Sequence, residues 1–310
     1  MIKSYVAIIL VNWNGKKDTL ECLASLRQVK SQKSPPKVDQ PLAEKVKVIV
    51  VDNGSTDGSV EAIRNNFPDV EVIETGRNLG FSGGNNAGIR RAREQGADFV
   101  WLLNNDTVVD KNALTTLIDA CRDSRVGIAG SKIYFASGRE YHKERYQETE
   151  LGKVIWYAGG FIDWENMYAS HRGVDEVDKG QYDKTEETLF VTGCSMMVRK
   201  EVFEKIGLFD EKFFAYLEDL DYCLRAKRAG YKLLYAPQSV VWHKNAGSSG
   251  VGSETHQYYM TRNRLLMGMR YASIRTKFAL AREALRFFVT GPSTHRKAVV
   301  DAFTGRWGKA

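Results

Sequence analysis

FVWLLNNDTVVD, residues 99–110, is an apolar run that ends on two amides and a carboxylate. Its first five residues show no polar alternation, which is typical of a central strand of a parallel sheet. Asn104, Asn105 and Asp106 follow at the carboxyl end of that strand. Ligands of open α/β sheets bind at such ends, but Asn and Asp also occupy plain turns for backbone reasons. The rest of the chain has to distinguish a ligand site from a polar turn.

Strands and helices alternate along the first half of the chain. The short connections between them predict an α/β fold with a mostly parallel, right-handed wound sheet flanked by helices. Residues 31–44 contain adjacent prolines and no periodicity, so they are predicted to form a surface loop. Further buried strands are predicted at 5–13, 46–52 and 70–75, and helices at 15–29, 58–67 and 82–95.

The pattern loosens between about 134 and 190 into Gly-, Tyr- and charge-rich sequence. Long irregular stretches of this kind are often functional. Regular structure is predicted to return with a strand at 188–199, helices at 200–207 and 216–230, and a strand that begins at Tyr231. The 310 residues are enough for one large domain with appendages.

Charge is distributed unevenly over the chain. The net charge is +7, yet residues 256–310 hold 11 Lys or Arg against 2 Asp or Glu, and the remainder is nearly balanced. No apolar run approaches the length of a membrane span, and the N-terminal residues lack the pattern of a signal peptide. We therefore expect a cytoplasmic protein with a basic C-terminal tail. The four cysteines form no CxxC pair, so buried reduced thiols are expected.

Asp52 ends the second predicted strand, in the motif VVDNGSTDGS at residues 50–59. At a strand end its carboxylate can accept a hydrogen bond from a ligand base or a ribose hydroxyl. Turn chemistry explains the same residues, because an Asn-Gly pair bends the chain and Ser55 or Asp57 can cap the next helix. The two interpretations are compatible, and both stay open.

A glycine-rich stretch, GRNLGFSGGNNAG at residues 76–88, surrounds the start of a predicted helix. Glycine allows a ligand to approach the backbone, and free N–H groups at a helix N-terminus favour an anionic group. A dinucleotide-binding fold would carry GxGxxG directly after the first strand, where this chain has NWNGKKD. The stretch therefore predicts an anion-binding pocket that is not a typical NAD site. Its candidate residues are Asn78, Gly80, Gly83, Gly84 and Asn85.

A nucleotide diphosphate lying across these strand ends would put Asp106 among phosphates. That arrangement is repulsive unless a divalent cation lies between them. Asn104 can then bind ribose or a metal-bound water, and His243, which follows an apolar strand end, can complete the coordination or contact a phosphate. A lone histidine is also commonly structural, and this alternative stays open. The sequence thus predicts a Mg²⁺ or Mn²⁺ site at Asp106 and His243.

A second acidic cluster lies in FFAYLEDLDYCLRAKRAG, residues 213–230. Asp221 and Arg225 have the spacing of a helical ion pair, and carboxylates are favoured near a helix start. Helix chemistry does not explain why Glu218 and Asp219 also crowd behind an aromatic run. Crowded carboxylates in an apolar setting raise each other's pKa, which suits a general base. Either Glu218 or Asp219 is the predicted base.

Five motifs together resemble the inverting family 2 glycosyltransferases of the GT-A fold, especially their bacterial rhamnosyltransferase branch. The resemblance implies a nucleotide-sugar donor, with dTDP-L-rhamnose preferred and a UDP-sugar as the alternative. The expected acceptor is a glycan or a polyprenyl-linked sugar in the synthesis of cell-surface polysaccharide, and a polyprenyl diphosphate would match an apolar face with positive charge in the C-terminal tail. The motifs occur in the family's order within residues 5–250 and are VVDNGSTDGS, RNLGFSGGNNAG, LLNNDT, the stretch from TGCSMMVRK to LRAKRAGYK, and VVWHKNAGSS.

The resemblance implies roles for single residues. Asp52 would contact the base of the donor. Asn104 and Asp106 would stand for the family's DxD metal motif, with Asn in place of the first Asp, and Asp219 would be the catalytic base. The donor pocket would also include Asn12, Asn53, Phe81 and Asn105.

We expect a GT-A catalytic domain over residues 1–255. Its donor-binding half would span about 1–133 and its acceptor-side half about 134–255. Gly193 and Cys194, in VTGCSMM, are expected on the acceptor side, although a buried strand explains them at least as well.

The tail, residues 256–310, is predicted to be helical, basic and amphipathic. Such a helix is typical of a membrane-surface element, which would put the protein at the inner face of the cell membrane. Packing on its own domain is the open alternative. Nucleic-acid binding is not expected, because the body of the chain is not basic and carries no nucleic-acid motif. The apolar face comprises Ile274, Phe278, Ala281, Leu285 and Phe288, beside a stripe of Arg275, Arg282 and Arg286.

Two other functions fit parts of the pattern. A sugar nucleotidyltransferase would also use a strand-end aspartate and a metal. It needs a basic phosphate-gripping loop near the N-terminus, however, for which NWNGKKD is a weak candidate. A catalytically silent nucleotide- or sugar-binding module would have no use for Asp106 or for the Glu218–Asp219 pair. A glycosyltransferase accounts for more of the motifs than either alternative.

Overall fold

A ten-stranded sheet lies at the centre of the part of the chain that the computed structural model describes, residues 4–30, 45–244 and 252–310. Helices flank this sheet, and the predicted α/β class is confirmed. The surface loop predicted at 31–44 lies outside the described residues. So do residues 245–249, the end of the VVWHKNAGSS motif.

The N-terminal half alternates strands and helices as the sequence predicts. It comprises β1 (Tyr5–Asn12), α1 (Lys16–Lys30), β2 (Lys45–Asp52), α2 (Ser59–Asn66), β3 (Glu71–Glu74), α3 (Gly80–Glu94) and β4 (Phe99–Leu103). The four strands are parallel, in the order β4-β1-β2-β3. All five residues of β4 are buried, in agreement with its lack of polar alternation. The carboxyl ends of these strands meet at one edge of the sheet.

Two glycines allow α3 to pack closely on the sheet. A Cβ at Gly84 would lie 2.7 Å from Cγ1 of Val11, and one at Gly88 would lie 2.6 Å from Cγ2 of Ile9. Both side chains belong to β1, and a larger residue at either glycine would push the helix away. Part of the glycine-rich stretch therefore serves helix–sheet packing.

The second half of the structure, after β4, is more irregular. It comprises β5 (Thr107–Val109), α4 (Ala113–Ala120), β6 (Val126–Phe135), β7 (Ile155–Tyr157), β8 (Gly160–Asp163), β9 (Tyr168–His171), β10 (Glu186–Glu187), β11 (Ser195–Arg199), α5 (Lys200–Ile206), α6 (Glu218–Arg228) and β12 (Lys232–His243). β8 and β9 form a separate two-stranded sheet. β6 pairs in parallel with β12. β11 pairs antiparallel with both β6 and β4, so it joins the two halves.

The strand β12 is longer than predicted. The strand predicted at Tyr231 and the apolar run before His243 form one element, with an irregularity between Ala236 and Val240. No sequence pattern indicated β5, which pairs antiparallel with the end of β12 and puts Thr107 opposite His243.

Three helices, α7 (Glu254–Tyr271), α8 (Ile274–Thr290) and α9 (Ser293–Thr304), form the C-terminal tail. The predicted apolar face of α8 is exposed, since Ile274, Phe278 and Leu285 are 75%, 71% and 62% exposed. The helix packs instead through neighbouring positions that include Leu280 and Ala284. Within the described residues, no helix is both long and apolar enough to cross a bilayer.

Candidate active site

A cavity of about 1400 Å³ opens at the carboxyl ends of the parallel strands. It is lined by both halves of the sheet and by the tail helices α7 and α9. The predicted metal ligands Asp106 and His243 lie in its wall, and so do the predicted catalytic residues Glu218 and Asp219. Residues more than 100 positions apart in the sequence are therefore brought to one cavity.

Strand pairing brings Asp106 and His243 together. Thr107 lies opposite His243 in the β5–β12 ladder, so the residue before β5 lies beside the end of β12. Nε2 of His243 is 3.1 Å from Oδ1 of Asp106, and both side chains are buried. The ring of Trp156 contacts the imidazole edge-on, with 4.6 Å between the ring centroids. The arrangement fixes a carboxylate and an imidazole at the cavity wall.

Nε2 of His243 and Oδ1 of Asp106 lie at the distance of a hydrogen bond, which is also the separation of neighbouring ligands on one small cation. Ligands about 2.1 Å from an octahedral ion lie roughly 3.0 Å apart when they occupy adjacent positions. The described residues contain no group of three or more His, Cys, Asp or Glu that could hold a metal. An ion at this pair would therefore take its other ligands from water and nucleotide phosphates, as Mg²⁺ commonly does. The pair fits a cation that binds together with a nucleotide.

Main-chain hydrogen bonds fix the carboxylate of Asp219 at the start of α6. Its Oδ2 accepts from the N–H of Gly193 at 2.9 Å, and its Oδ1 accepts from the N–H of Leu220 at 2.7 Å. Oε2 of Glu218, in contrast, is buried without a hydrogen-bond partner among the described residues. The two neighbouring carboxyl groups thus have different environments.

These environments shift the pKa values of the two carboxyl groups by different amounts. Burial raises the pKa of Glu218 well above its ordinary value, and the charge of Asp219 raises it further. Burial also raises the pKa of Asp219, but the N–H groups of Gly193 and Leu220 oppose this by stabilising the anion. The pKa of Glu218 is therefore raised more strongly than that of Asp219, so Asp219 is the group that ionises more readily.

Asp221, the third carboxylate of the cluster, has a structural environment. One oxygen accepts from Nε of Arg225 at 2.8 Å, which is the predicted helical ion pair. The other accepts from Arg270 at 2.8 Å and from the hydroxyl of Tyr271 at 2.6 Å. Asp221 therefore ties α6 to α7, a link that the sequence did not indicate.

Asp52 and Asn12 form a buried network at the ends of β1 and β2. Oδ2 of Asp52 accepts from Nδ2 of Asn12 at 2.8 Å, and its Oδ1 accepts from the N–H of Ser55 at 2.9 Å. Oδ1 of Asn12 accepts from the hydroxyl of Thr19 at 2.8 Å. Asp52 is 2% exposed and Asn12 0%. These hydrogen bonds match the turn interpretation, and contact of either residue with a donor stays a prediction.

The glycine-rich stretch contains wall residues and packing residues. Gly83 and Gly84 are buried, and a Cβ on either would lie 2.7 Å from a neighbouring side-chain carbon. Oδ1 of Asn78 accepts from the N–H of Gly80 at 2.8 Å, which shapes the turn before α3. The wall on this side comprises Asn53, Asn78, Gly80, Phe81 and Asn85.

The amides after β4 are also in the wall. The main-chain N–H of Asn104 donates to the carbonyl of Cys194 at 2.9 Å. Nδ2 of Asn105 donates to the hydroxyl of Thr19 at 2.8 Å. Asn104 and Asn105 are thereby held beside Asp106 and line the same cavity.

Gly193 and Cys194 join the predicted donor and acceptor sides. A Cβ at Gly193 would lie 2.7 Å from Cζ of Phe81, so glycine allows the two walls to meet. Burial raises the pKa of the Cys194 thiol well above its ordinary value, and the charges of Asp106 and Asp219 add to this effect. The thiol therefore lies within electrostatic reach of both carboxylates. Both residues line the cavity directly before β11.

The aromatic wall residues that sequence reasoning missed include Trp156 and His171. Their rings contact edge-on at 4.4 Å between centroids. Burial lowers the pKa of His171 to about 4, so this imidazole is neutral at neutral pH. Both lie in the stretch at 134–190, whose only signal was its irregular, Gly- and Tyr-rich composition.

Solved glycosyltransferase structures share this fold. A mannosyltransferase from Pyrobaculum calidifontis, in complex with GDP-Man and Mn²⁺, aligns over 100% of this chain and 77% of its own, with a TM-score of 0.53 and 17% identity. GalNAc-T7, with UDP, GalNAc and Mn²⁺, aligns over 98% of this chain and 58% of its own, with a TM-score of 0.58 and 15% identity. Likeness at these identities concerns the fold alone, and the predicted GT-A fold is confirmed.

Residues 7–207 match the model of glycosyl transferase family 2, and the chain belongs to that family. An N-acetylglucosaminyl-diphospho-decaprenol L-rhamnosyltransferase from Mycobacterium tuberculosis is 29% identical over 68% of this chain and 70% of its own length. The low-salt glycan biosynthesis hexosyltransferase Agl10 from Haloferax volcanii is 24% identical over 84% and 74%. The prediction of a glycosyltransferase is confirmed, in preference to a nucleotidyltransferase or a silent binding module.

Proposed function

We propose that the protein is a metal-dependent, inverting glycosyltransferase that moves L-rhamnose from dTDP-L-rhamnose to a polyprenyl-linked glycan in cell-surface polysaccharide synthesis. One observation carries this proposal: the Glu218–Asp219 pair and the Asp106–His243 pair line the same cavity. Inverting transfer needs a base for the acceptor and charge stabilisation for the leaving diphosphate. The two pairs can supply these two functions.

Asp219 is proposed as the base. Its carboxylate takes the proton of an acceptor hydroxyl while the hydroxyl oxygen attacks the anomeric carbon of the donor. The bond from that carbon to the diphosphate breaks on the opposite face, and the nucleoside diphosphate leaves with the bonding electron pair. One displacement inverts the configuration, so the mechanism requires no nucleophile on the enzyme.

Asp106 and His243 are proposed to hold the divalent cation, Mg²⁺ or Mn²⁺. When bound, the cation would neutralise negative charge on the leaving diphosphate. Asn104, Asn105 and the wall beside α3 are proposed to bind the nucleotide and sugar. The separation of 3.1 Å between the carboxylate and imidazole supports this assignment.

The nucleotide-sugar donor is proposed to be dTDP-L-rhamnose. L-Rhamnose is supported by the name of the Mycobacterium tuberculosis relative, which describes an L-rhamnosyltransferase acting on a diphospho-decaprenol-linked sugar. A UDP-sugar is the second candidate, because GT-A structures of this shape include one solved with UDP.

The acceptor is proposed to reach the cavity from an anionic membrane surface, at the inner face of the cell membrane. The exposed apolar face of α8 supports this, because Phe278 and Leu285 lie beside the arginine stripe that includes Arg282. The cavity also extends to the tail, where Lys297 of α9 lies in its wall. A lipid-linked diphosphate would suit an apolar face with nearby positive charge.

A donor panel tests the transfer reaction. The full chain is incubated with dTDP-L-rhamnose or UDP-sugars, a short-chain polyprenyl-diphosphate acceptor, and Mn²⁺, Mg²⁺ or a chelator. We expect rhamnosyl transfer with inverted anomeric configuration, reduced at least tenfold by the chelator. Retention of configuration, full activity in chelator, or no transfer from any donor would contradict the proposal.

Vesicle sedimentation tests the membrane surface. We expect the chain to bind vesicles with anionic lipid, less tightly at high salt, and to lose binding in Phe278→Asp and Arg282→Glu. Arg122→Glu is the matched charge control, since Arg122 is an exposed residue after α4. Equal binding to neutral vesicles, or equal loss in the control, would contradict this part of the proposal.

A further inference from the structure

The segment that leads into the catalytic pair, residues 212–217, has a strained backbone. We refer to it as the pair loop. Phe214, Tyr216 and Leu217 have φ values of 63°, 69° and 68°. This left-handed region is unfavourable for residues that carry a Cβ, and it persists where the surroundings hold it. The contacts that hold the pair loop therefore bear on the geometry of Glu218 and Asp219.

Asn263 of α7 contacts the pair loop from the tail. Its side chain is fully buried, and Nδ2 lies 2.9 Å from the carbonyl oxygen of Phe213 and 2.8 Å from those of Ala215 and Tyr216. One amide group thus serves three carbonyls of the loop. Oδ1 of the same amide accepts from Nε of Arg262 at 3.1 Å, which fixes the end of the amide that faces the loop.

Arg262 extends these contacts along the loop. Its buried guanidinium donates to the carbonyls of Lys212 and Phe213 at 3.0 and 3.1 Å. Another nitrogen donates to the carbonyl of Gly308 at 2.7 Å. Two consecutive residues of α7 therefore hold most of the carbonyls that precede the catalytic pair.

The pair loop is also contacted by α3, on the side of the cavity where the nucleotide sugar is proposed to bind. The N–H of Ser82 donates to the carbonyl of Phe214 at 3.1 Å, and a Cβ at Gly80 would lie 2.4 Å from that oxygen. The ring of Phe214 stacks on Tyr259 of α7, with 5.1 Å between centroids. The pair loop is therefore held between α3 and α7.

We infer that Asn263, supported by Arg262, is a positioning residue for Asp219, and that the tail helix α7 is thereby a working part of the catalytic site. The inference rests on the proposed role of Asp219 as the base. Without the Asn263 amide, the carbonyls of Ala215 and Tyr216 lose this hydrogen-bond donor, and that of Phe213 keeps Arg262. The left-handed residues then relax toward ordinary φ values. The first residues of α6 then shift, and small misplacement of a reacting group lowers the rate strongly.

A graded pair of variants tests the inference. Asn263→Ser replaces the amide with one hydroxyl group that can donate a hydrogen bond, and Asn263→Ala leaves no side-chain hydrogen-bond donor. We expect kcat to fall at least tenfold in Asn263→Ala and by less in Asn263→Ser. The dissociation constant of the nucleotide-sugar donor, measured by calorimetry, should change less than threefold. We also expect residues 212–219 to exchange amide hydrogens faster in both variants, a readout that is independent of activity.

Leu280→Ala is the matched control for general damage to the tail. Leu280 is buried in α8, and its Cδ1 would lie 2.2 Å from a Cβ built on Gly268 of α7. The variant loosens the tail without changing any contact of the pair loop. We expect its kcat to stay within twofold of the wild type at temperatures well below unfolding.

The outcomes separate this inference from the proposed function. Unchanged kcat in Asn263→Ala, or an equal loss of kcat in Leu280→Ala, would overturn the inference. If Asn263→Ala fails to fold, the test rests on Asn263→Ser. A loss of kcat in this variant with unchanged affinity for the nucleotide sugar supports the inference, and a wild-type kcat overturns it. Lack of transfer by the wild-type chain would count against the proposed function, and unchanged exchange of residues 212–219 would then still overturn the inference.

Discussion

The two acidic sites of the cavity are supported by different kinds of structure. Asp106 meets His243 because a regular strand ladder brings Thr107 opposite that histidine. Glu218 and Asp219 follow a loop with three left-handed residues, held by hydrogen bonds from the tail. Strand register is enough to bring these two side chains to contact distance. Burial and a neighbouring carboxyl group raise the pKa values of this pair, and the pair follows a loop that is hydrogen-bonded from another part of the chain.

The largest expected effect comes from substituting the two carboxyl groups of the Glu218–Asp219 pair one at a time. Asp219→Asn should lower kcat by about 10²- to 10⁴-fold, because it removes the proposed general base. Glu218→Gln should retain kcat within roughly threefold, because a buried Glu218 that keeps its proton is replaced by an uncharged group of the same shape. Steady-state transfer at saturating donor measures both values.

Donor affinity serves as the control for that comparison. Neither substitution should change the dissociation constant of the nucleotide diphosphate by more than about twofold, since neither removes a proposed nucleotide contact. A larger loss of kcat in Glu218→Gln than in Asp219→Asn would transfer the role of base to Glu218.

The next effect concerns the Asp106–His243 pair. Asp106→Ala should weaken Mn²⁺-dependent binding of the nucleotide diphosphate by about 10- to 100-fold and leave metal-free binding unchanged. Calorimetry with and without Mn²⁺ measures the difference. Asp110→Ala is the matched control, because Asp110 lies four residues further on and accepts from the N–H of Asn112. If Mn²⁺ increased the affinity for the nucleotide diphosphate as much in Asp106→Ala as in the wild type, Asp106 would not belong to the cation site.

A stability effect distinguishes the packing glycines from the cavity wall. Gly84→Ala should lower the free energy of unfolding by about 1–3 kcal/mol through overpacking, because its Cβ would lie 2.7 Å from Cγ1 of Val11. Urea unfolding measures this value. Arg90→Ala, at an exposed position of the same helix, should change it by less than about 0.5 kcal/mol. Equal stability of Gly84→Ala and wild type would show that α3 can move away from the sheet.

The pH dependence gives the smallest and most specific effect. Asp219 must be ionised to act, and burial raises its pKa above the ordinary value of 3.8. The base therefore gains its proton at a higher pH than an ordinary aspartate, and kcat should fall as the pH drops through that raised pKa. Asn263→Ala should move this acidic limb to lower pH, because a loosened pair loop admits water. A wild-type limb no higher than the ordinary aspartate pKa of 3.8 would contradict the burial of the base.

Most of the fold could be predicted because the information is local. The four parallel strands follow apolar runs, and α3 and α6 follow apolar spacing with glycines or carboxylates at their starts. The strand β5 escaped prediction because three residues after a polar turn carry no period. Its existence depends on pairing with β12, which is more than 100 residues away.

The site was predictable in part for the same reason. Motif residues at strand and helix ends, such as Asp106 and Asp219, lie in the cavity wall. The sequence could not distinguish wall residues from packing residues, because the neighbours and backbone conformations of Gly80 and Gly84 are set by the fold. Nor could it indicate Trp156 or Asn263, whose positions depend on contacts between distant segments.

The fixed carboxylate of Asp219 has a consequence for the product. Main-chain N–H groups at Gly193 and Leu220 occupy both of its oxygens, so it cannot rotate to follow a substrate. An acceptor sugar has to turn one particular hydroxyl toward it. We therefore expect a single linkage position, whose regiochemistry is set by the backbone of the enzyme, while the side chains of the wall decide which glycans can enter.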